Sequence, residues 1–235
     1  MKSTDLIINV NPKSIFSESI KTIRTNLAFA AIDNKMQVLL NTSPEAGDGK
    51  SFISANLAVA YAQEGKKVLI VDCDLRKGRQ HEIFNVVNST TGGYSNLILN
   101  YQGFVDLNCY IIPTQNQNVS LLPTGPTPPN PVELLASENN AKLIQKLREF
   151  YDIIILDCPP VIGLSDTLIM TKYSDANIIV VSNKKTKLEN LERTKKIFGQ
   201  ANAKITGVVV NKASVKDNGY YGYYCKDYYG ETGKN

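Results

Sequence analysis

Ser43-Pro44-Glu45-Ala46-Gly47-Asp48-Gly49-Lys50-Ser51 brings two glycines, a lysine and a hydroxyl together at the end of an apolar run. Glycines in such a turn let backbone N–H groups close around phosphate oxygens, and the N-terminus of a following helix adds its partial positive charge. Lys50 is then the cation for β- and γ-phosphate oxygens, and Ser51 the hydroxyl offered to Mg²⁺. Gly47, Asp48, Gly49, Lys50, Ser51 and Phe52 are the candidate nucleotide-binding residues. Pro44 occupies the first glycine position of the strict GxxxxGK[ST] pattern, so the letters alone also fit a plain glycine turn. The strand signal before the loop and the helix signal after it favour the phosphate site.

Two acidic segments carry complementary chemistry. Asp157 ends the apolar run 151–156 and precedes Cys158-Pro159-Pro160, the pattern of a Walker B strand-end carboxylate that holds a metal directly or through water. A carboxylate buried there without a partner is costly. Asp72 and Asp74 lie two residues apart where the run 68–71 ends, and period-two geometry turns both to one side while the strand persists. Both are candidates to face the metal and an incoming hydroxyl, the alternative being one structural and one surface aspartate.

These residues need a scaffold that gathers strand ends. The run 37–43 reads as a buried strand, 51–64 as a helix stopped by Gly65, and 67–72 as the next strand, a βαβ unit that favours a parallel sheet. Strand-like runs recur at 119–122, 153–157, 177–182 and 205–210, with helices expected at 131–150, 166–173 and 188–199. Their near-continuous Val, Ile and Leu character predicts an α/β fold, a doubly wound, mostly parallel sheet with helices on both faces. Ile15, Phe16, Ile20, Ile23 and Leu27 mark an amphipathic helix at about 14–30 outside that unit. The segment 89–117 is polar and only loosely assigned, and the proline-rich 123–131 reads as a rigid connection that puts Pro131 in the first turn of a helix.

A chain of 235 residues with 43% hydrophobic content buries the core of one medium domain, here residues 1–217, followed by a tyrosine-rich tail at 218–235. The net charge of +4 is too weak and dispersed for a nucleic-acid surface, and Lys184-Lys185-Thr186-Lys187 reads as a solvated loop. The 4 cysteines show no CxxC spacing, and Cys73 and Cys158 stand beside aspartates in apolar surroundings, as reduced thiols in a cytoplasmic protein would. No apolar run approaches the roughly 18 residues of a membrane span, so attachment to a membrane is expected through a partner. The single histidine, His81, reads as structural, and no His/Cys cluster supports zinc.

With the loop 43–51, the acidic segments 68–76 and 153–160 and the tyrosine cluster 220–229, the chain resembles the bacterial tyrosine kinases of capsule and exopolysaccharide synthesis, the CpsD/CapB group. The stretch 125–135 is similar to a segment of that family. The resemblance implies a P-loop fold of the MinD/ParA-like superfamily, ATP and Mg²⁺ as cofactors, and phosphoryl transfer to tyrosine. It implies Asp72 as base toward the tyrosine hydroxyl, with Asp74 and Asp157 supporting the metal. It further implies a separate transmembrane activator, a cognate tyrosine phosphatase and a ring-like homo-oligomer at the inner face of the membrane. The ring contact would use Glu18, Lys21 and Arg24, where the family carries Glu-x-x-Arg-x-x-Arg. Lys21 in place of the first arginine loses bidentate pairing.

Tyr220, Tyr221, Tyr223, Tyr224, Tyr228 and Tyr229 are half of the chain's 12 tyrosines. Interleaved with glycine and without aliphatic neighbours, this stretch has little means of packing as core and reads as a mobile phosphoacceptor tail. The alternative is a docking tail on an ATPase switch of the MinD/ParA type, or an ATP-binding scaffold. Those ATPases place a signature lysine five positions before the Lys50 equivalent, and Glu45 stands there in this chain.

Overall fold

The computed structural model describes residues 6–30, 36–88 and 92–213. Seven strands form one sheet in the order β3-β4-β2-β5-β1-β6-β7. They are β1 (Val38–Thr42), β2 (Val68–Asp72), β3 (Ile112–Pro113), β4 (Val119–Leu122), β5 (Ile153–Asp157), β6 (Ala176–Ser182) and β7 (Gly207–Asn211). All neighbouring pairs run parallel except β3 with β4, so the expected mostly parallel sheet is found with one short antiparallel edge. Every residue of β1, β2, β5 and β6 is buried, the consequence of helices on both faces.

One face carries α1 (Ile7–Val10), α2 (Ile15–Ala30), α3 (Lys50–Ala62) and α4 (Gln80–Ile83), packed on alternate strand residues such as Leu39, Ile70 and Ile155. The opposite face takes Val38, Leu40, Val71 and Leu156 with α5 (Tyr94–Asn100), α6 (Pro131–Ala136), α7 (Glu138–Leu147) and α8 (Asp166–Met170). Farther along that face α9 (Leu188–Gln200) covers Ile179 and Val181 through Phe198. Helix α3 is buried at every position except Ser51 and Phe52, because α1 and α2 close over its outer side. Full burial of each Leu, Ile or Val in these layers contributes about 1.5–3 kcal/mol.

Most expected elements appear within a residue or two of their sequence limits. The expected single helix over 131–150 is instead two, because Ser137 adopts an extended conformation (φ −66°, ψ 154°) and its side chain accepts from the Asn140 backbone N–H at 3.2 Å. A serine that caps a new helix competes with continuation of the old one. The helix expected over 166–173 finishes as a tighter 3₁₀ turn at Thr171–Tyr173. Gly65 ends α3 with φ +79° and Pro131 opens α6 at its first turn, as read from the sequence. The loosely assigned stretch contains α5 and β3. The tyrosines of the cluster 220–229, together with Cys225, lie outside the described residues.

Candidate nucleotide and metal site

Register places the acidic groups before any side chain is considered. In the three central strands Asn41 of β1 stands opposite Asp157 of β5, and Asp157 stands opposite Asp72 of β2. All three strands run parallel, so their carboxyl ends meet at one edge of the sheet. Residues in register point to the same face, here the one covered by α3. Asn41 Nδ2 reaches the Lys50 carbonyl (3.1 Å) and Ser54 Oγ (2.7 Å), and Ser54 Oγ donates to Asp157 Oδ1 (3.1 Å). The first turn of α3 is thereby tied to the ends of β1 and β5.

The loop before α3 turns through Gly47 (φ +85°) and Gly49 (φ +95°), conformations that a side chain disfavours. Three successive carbonyls of this loop face donors from the far end of the sheet. Lys185 Nζ donates to the Ala46 carbonyl (3.0 Å), Lys212 Nζ to that of Gly47 (2.8 Å) and Asn211 Nδ2 to that of Asp48 (2.9 Å). Thus the expected solvated loop at 184–187 contributes Lys185 to the glycine loop. Asp48 is buried, its carboxylate taken up by Thr186 Oγ1 (3.0 Å) and the Glu45 N–H (3.3 Å), so its side chain buttresses the loop.

Lys50 is almost wholly buried, with Nζ 3.6 Å from Asp157 Oδ1, 3.7 Å from Asp74 Oδ2 and 3.2 Å from Ser51 Oγ. Burial works against its charge, but Asp157, Asp74 and Asp72 outweigh that cost and hold its pKa above the usual lysine value. Asp72 is fully enclosed: it accepts from the Gln80 N–H (2.9 Å) and the Asp74 N–H (3.3 Å). Burial first, and then the neighbouring Asp157, push its carboxyl up to about 8 against the pull of Gln80 and Lys50. Asp74 lies beyond the end of β2 yet still reaches Lys50, because the turn after the strand is held by the Lys77 N–H on Asp74 Oδ1 (3.0 Å).

A cleft of about 830 Å³ opens above this group, lined by Gly47, Gly49, Lys50, Ser51, Phe52 and Asp74, with Arg76, Lys77 and Arg79 adding positive charge. Asp72 and Asp157 lie beneath it. Phe52 also leans on Phe16 of α2, ring centroids 5.6 Å apart. The donor set suits a magnesium nucleotide: a glycine loop with turned-out carbonyls, one lysine, one serine hydroxyl and strand-end carboxylates. Among the described residues no three Asp, Glu, His or Cys side chains converge closely enough to chelate an ion by themselves. Magnesium does not need that arrangement, since it keeps several waters and is held by one or two carboxylates with phosphate oxygens.

Glu18, Lys21 and Arg24 stand elsewhere, on α2. Lys21 pairs with Glu18 (2.7 Å), while Arg24 grips the end of α3 through Glu64 (2.6 Å) and the Ala60 carbonyl (2.7 Å). Cys73 and Cys158 are buried free thiols, as expected. Gln80, Ser54, Asn41, Lys185, Asn211 and Lys212 join the site without having been singled out for it. The only sequence signal for Gln80 was its place in the basic stretch after Asp74, which says nothing of which carboxylate it meets.

Residues 36–207 match the family described as the AAA domain. The putative tyrosine-protein kinase CapB of Staphylococcus aureus is 38% identical over 223 residues, 94% of this chain and 96% of that protein. Tyrosine-protein kinase YwqD of Bacillus subtilis is 36% identical over 94% of this chain and 91% of its own length. Among solved structures, the chimerical protein CapA2B2 superposes with a TM-score of 0.83 at 40% identity, covering 88% of this chain and 89% of that one. The septum site-determining protein MinD of Pyrococcus horikoshii, complexed with Mg-ADP, gives a TM-score of 0.59 at 26% identity over 74% of this chain and 69% of its own.

Proposed function

Because this chain belongs to the AAA domain family and, within it, to the tyrosine-protein kinases represented by CapB and YwqD, we propose that it transfers the γ-phosphoryl group of ATP to tyrosine hydroxyls. Tyr220, Tyr221, Tyr223, Tyr224, Tyr228 and Tyr229 are among the acceptors. The observation that carries the reading is the meeting of Lys50 with Asp74 and Asp157 at the floor of a cleft rimmed by the glycine loop.

Magnesium, when bound, would supply charge neutralisation for the phosphoryl group being transferred. Ser51, Asp74 and Asp157 are the residues to hold it, and the backbone of 47–52 with Lys50 holds the phosphates. Lys50 is kept fully charged by the surrounding carboxylates, so it serves as a fixed cation rather than a proton carrier. Asp72 is assigned the tyrosine proton: with its carboxyl raised to about 8, the ionised form takes up a proton far more readily than an ordinary aspartate, and the positive charge of bound magnesium would favour that ionised form. Little covalent chemistry is asked of the protein beyond position, charge and proton acceptance.

The same reading assigns a separate membrane-spanning activator, a ring-like assembly contacting through Glu18, Lys21 and Arg24, and a phosphatase that reverses the modification. No described helix is long and apolar enough to cross a membrane, and the chimerical make-up of CapA2B2 fits a kinase chain that works with a second polypeptide. Tail phosphorylation adds about −1.5 to −2 charges per tyrosine and so favours release of an assembly. The test is incubation of the parent and Lys50→Met with magnesium and γ-labelled ATP, with and without an activator's cytoplasmic tail, followed by mapping of modified residues. The expected result is phosphotyrosine in the cluster 220–229 of the parent alone. Released phosphate with unmodified tyrosines would instead support a MinD-like switch.

A further inference from the structure

Gln80 is the first residue of α4 and is wholly buried. An amide in such a place is costly unless its hydrogen bonds are made, and a leucine or methionine would fill the space without that cost. Its backbone N–H donates to Asp72 Oδ2 (2.9 Å), and its side-chain Nε2 donates to Asp157 Oδ2 (2.8 Å) and to the Ser51 carbonyl (3.0 Å). One residue therefore supplies a donor to each of two carboxylates that stand in register across β2 and β5, and to the first turn of α3. The orientation of the amide follows from chemistry: both partners of Nε2 are acceptors, so the reverse flip would set oxygen against oxygen. Its Oε1 is then a buried acceptor with no partner among the described residues.

Resting on the nucleotide-binding reading above, we propose that Gln80 is a positioning residue for the magnesium nucleotide. By taking Asp157 Oδ2, the amide fixes the carboxylate so that Oδ1 alone is presented to Lys50 and Ser54. By holding the Ser51 carbonyl, it sets the start of α3 relative to that carboxylate, and so the distance between the hydroxyl and carboxylate that the metal uses. The unpartnered Oε1 is an acceptor for a hydrogen donor that enters with the ligand, the chemistry of a metal-bound water. Groups that orient a metal's ligands change its affinity by about 10–100-fold when removed.

The test compares ADP affinity by calorimetry with and without magnesium for the parent, Gln80→Met and Gln80→Glu. Methionine keeps the volume and removes both donors and the acceptor, while glutamate keeps the shape and turns an oxygen toward Asp157. The parent is expected to bind ADP more tightly with magnesium. Both variants are expected to lose at least about tenfold of that gain. Their metal-free affinity should stay within about threefold of the parent, because Gln80 reaches that segment only at the Ser51 carbonyl and is a partner neither of Lys50 Nζ nor of the N–H groups that face the phosphates. A merely structural role would lower both affinities together, and that outcome overturns the proposal, as does an unchanged magnesium gain in either folded variant. If Gln80→Met fails to fold, the isosteric Gln80→Glu decides alone by the same ratio. A parent that shows the magnesium gain but makes no phosphotyrosine ends the kinase reading and not this one. A parent that binds no nucleotide ends both.

Discussion

Replacement of Gly78 by alanine tests how tightly the turn after β2 is closed on its carboxylate. Gly78 has no left-handed backbone to protect, so the objection to a side chain is contact alone. A Cβ added there would fall 2.6 and 2.7 Å from the two oxygens of Asp72 and closer still to Thr124 Cγ2. Relief to an ordinary separation of about 3.5 Å needs a retreat of about 0.8–0.9 Å by a carboxyl that is fully buried. The retreat draws Asp72 from the Gln80 N–H, now 2.9 Å away. Overpacking of this kind costs about 1–3 kcal/mol, and loss of a hydrogen bond to the uncharged carboxyl about 0.5–1.5 kcal/mol, together about 1.5–4.5 kcal/mol. For a domain of this length that lowers the melting temperature by about 3–18 °C, measured by differential scanning fluorimetry on nucleotide-free protein. Gly199→Ala in α9, where nothing lies within 4 Å of the added carbon, is the control and should be neutral or gain about 0.4–1 kcal/mol. If Gly78→Ala melts with the parent and keeps its magnesium-dependent ADP binding, the turn is not closed on Asp72 and the account of that carboxylate's raised pKa fails with it.

Other outcomes follow from the same contacts. Because Asp72 holds its proton up to about 8 in the folded chain and an unfolded aspartate releases it near 3.8, the folded state binds the extra proton between those values, and stability must fall as pH rises through that window. Asp72→Asn should remove that slope and melt above the parent at pH 7.5 in urea titrations without metal; an unchanged slope would show the carboxyl is not the group responsible. Arg24→Ala frees Glu64 and leaves the Ala60 carbonyl without its side-chain donor, for a loss of about 1 kcal/mol in equilibrium unfolding, with Arg24→Lys recovering only part. Asn140→Leu leaves the Tyr94 hydroxyl, now bonded to Asn140 at 2.6 Å, with only Met170 Sδ at 3.9 Å, and the Leu135 carbonyl, now bonded to Asn140 at 2.7 Å, with only the Tyr173 hydroxyl at 3.4 Å, and should cost about 1–3 kcal/mol. Adding Tyr94→Phe should recover part of that loss, and strict additivity of the two changes would argue against the contact.

Amino-acid order alone determined the sheet class, the glycine loop and the strand-end acids. Those depend on short-range facts: continuous apolar runs of strand length, glycines where the backbone must turn, and a lysine one residue ahead of a serine at a helix start. The same logic erred over 131–150, where apolar spacing read as one helix and the capping strength of Ser137, a local competitor, divided it. Tertiary structure alone decided which groups meet. That Asp157 lies between Asn41 and Asp72 follows from strand register, and that Lys50 finds both Asp157 and Asp74 follows from where α3 is pinned. Lys185 and Lys212 come to the glycine loop across separations of 139 and 165 residues, distances over which no spacing rule operates. Chemistry-bearing residue types are written in the chain, whereas the oxygen that each donor reaches is fixed by packing between segments remote in sequence.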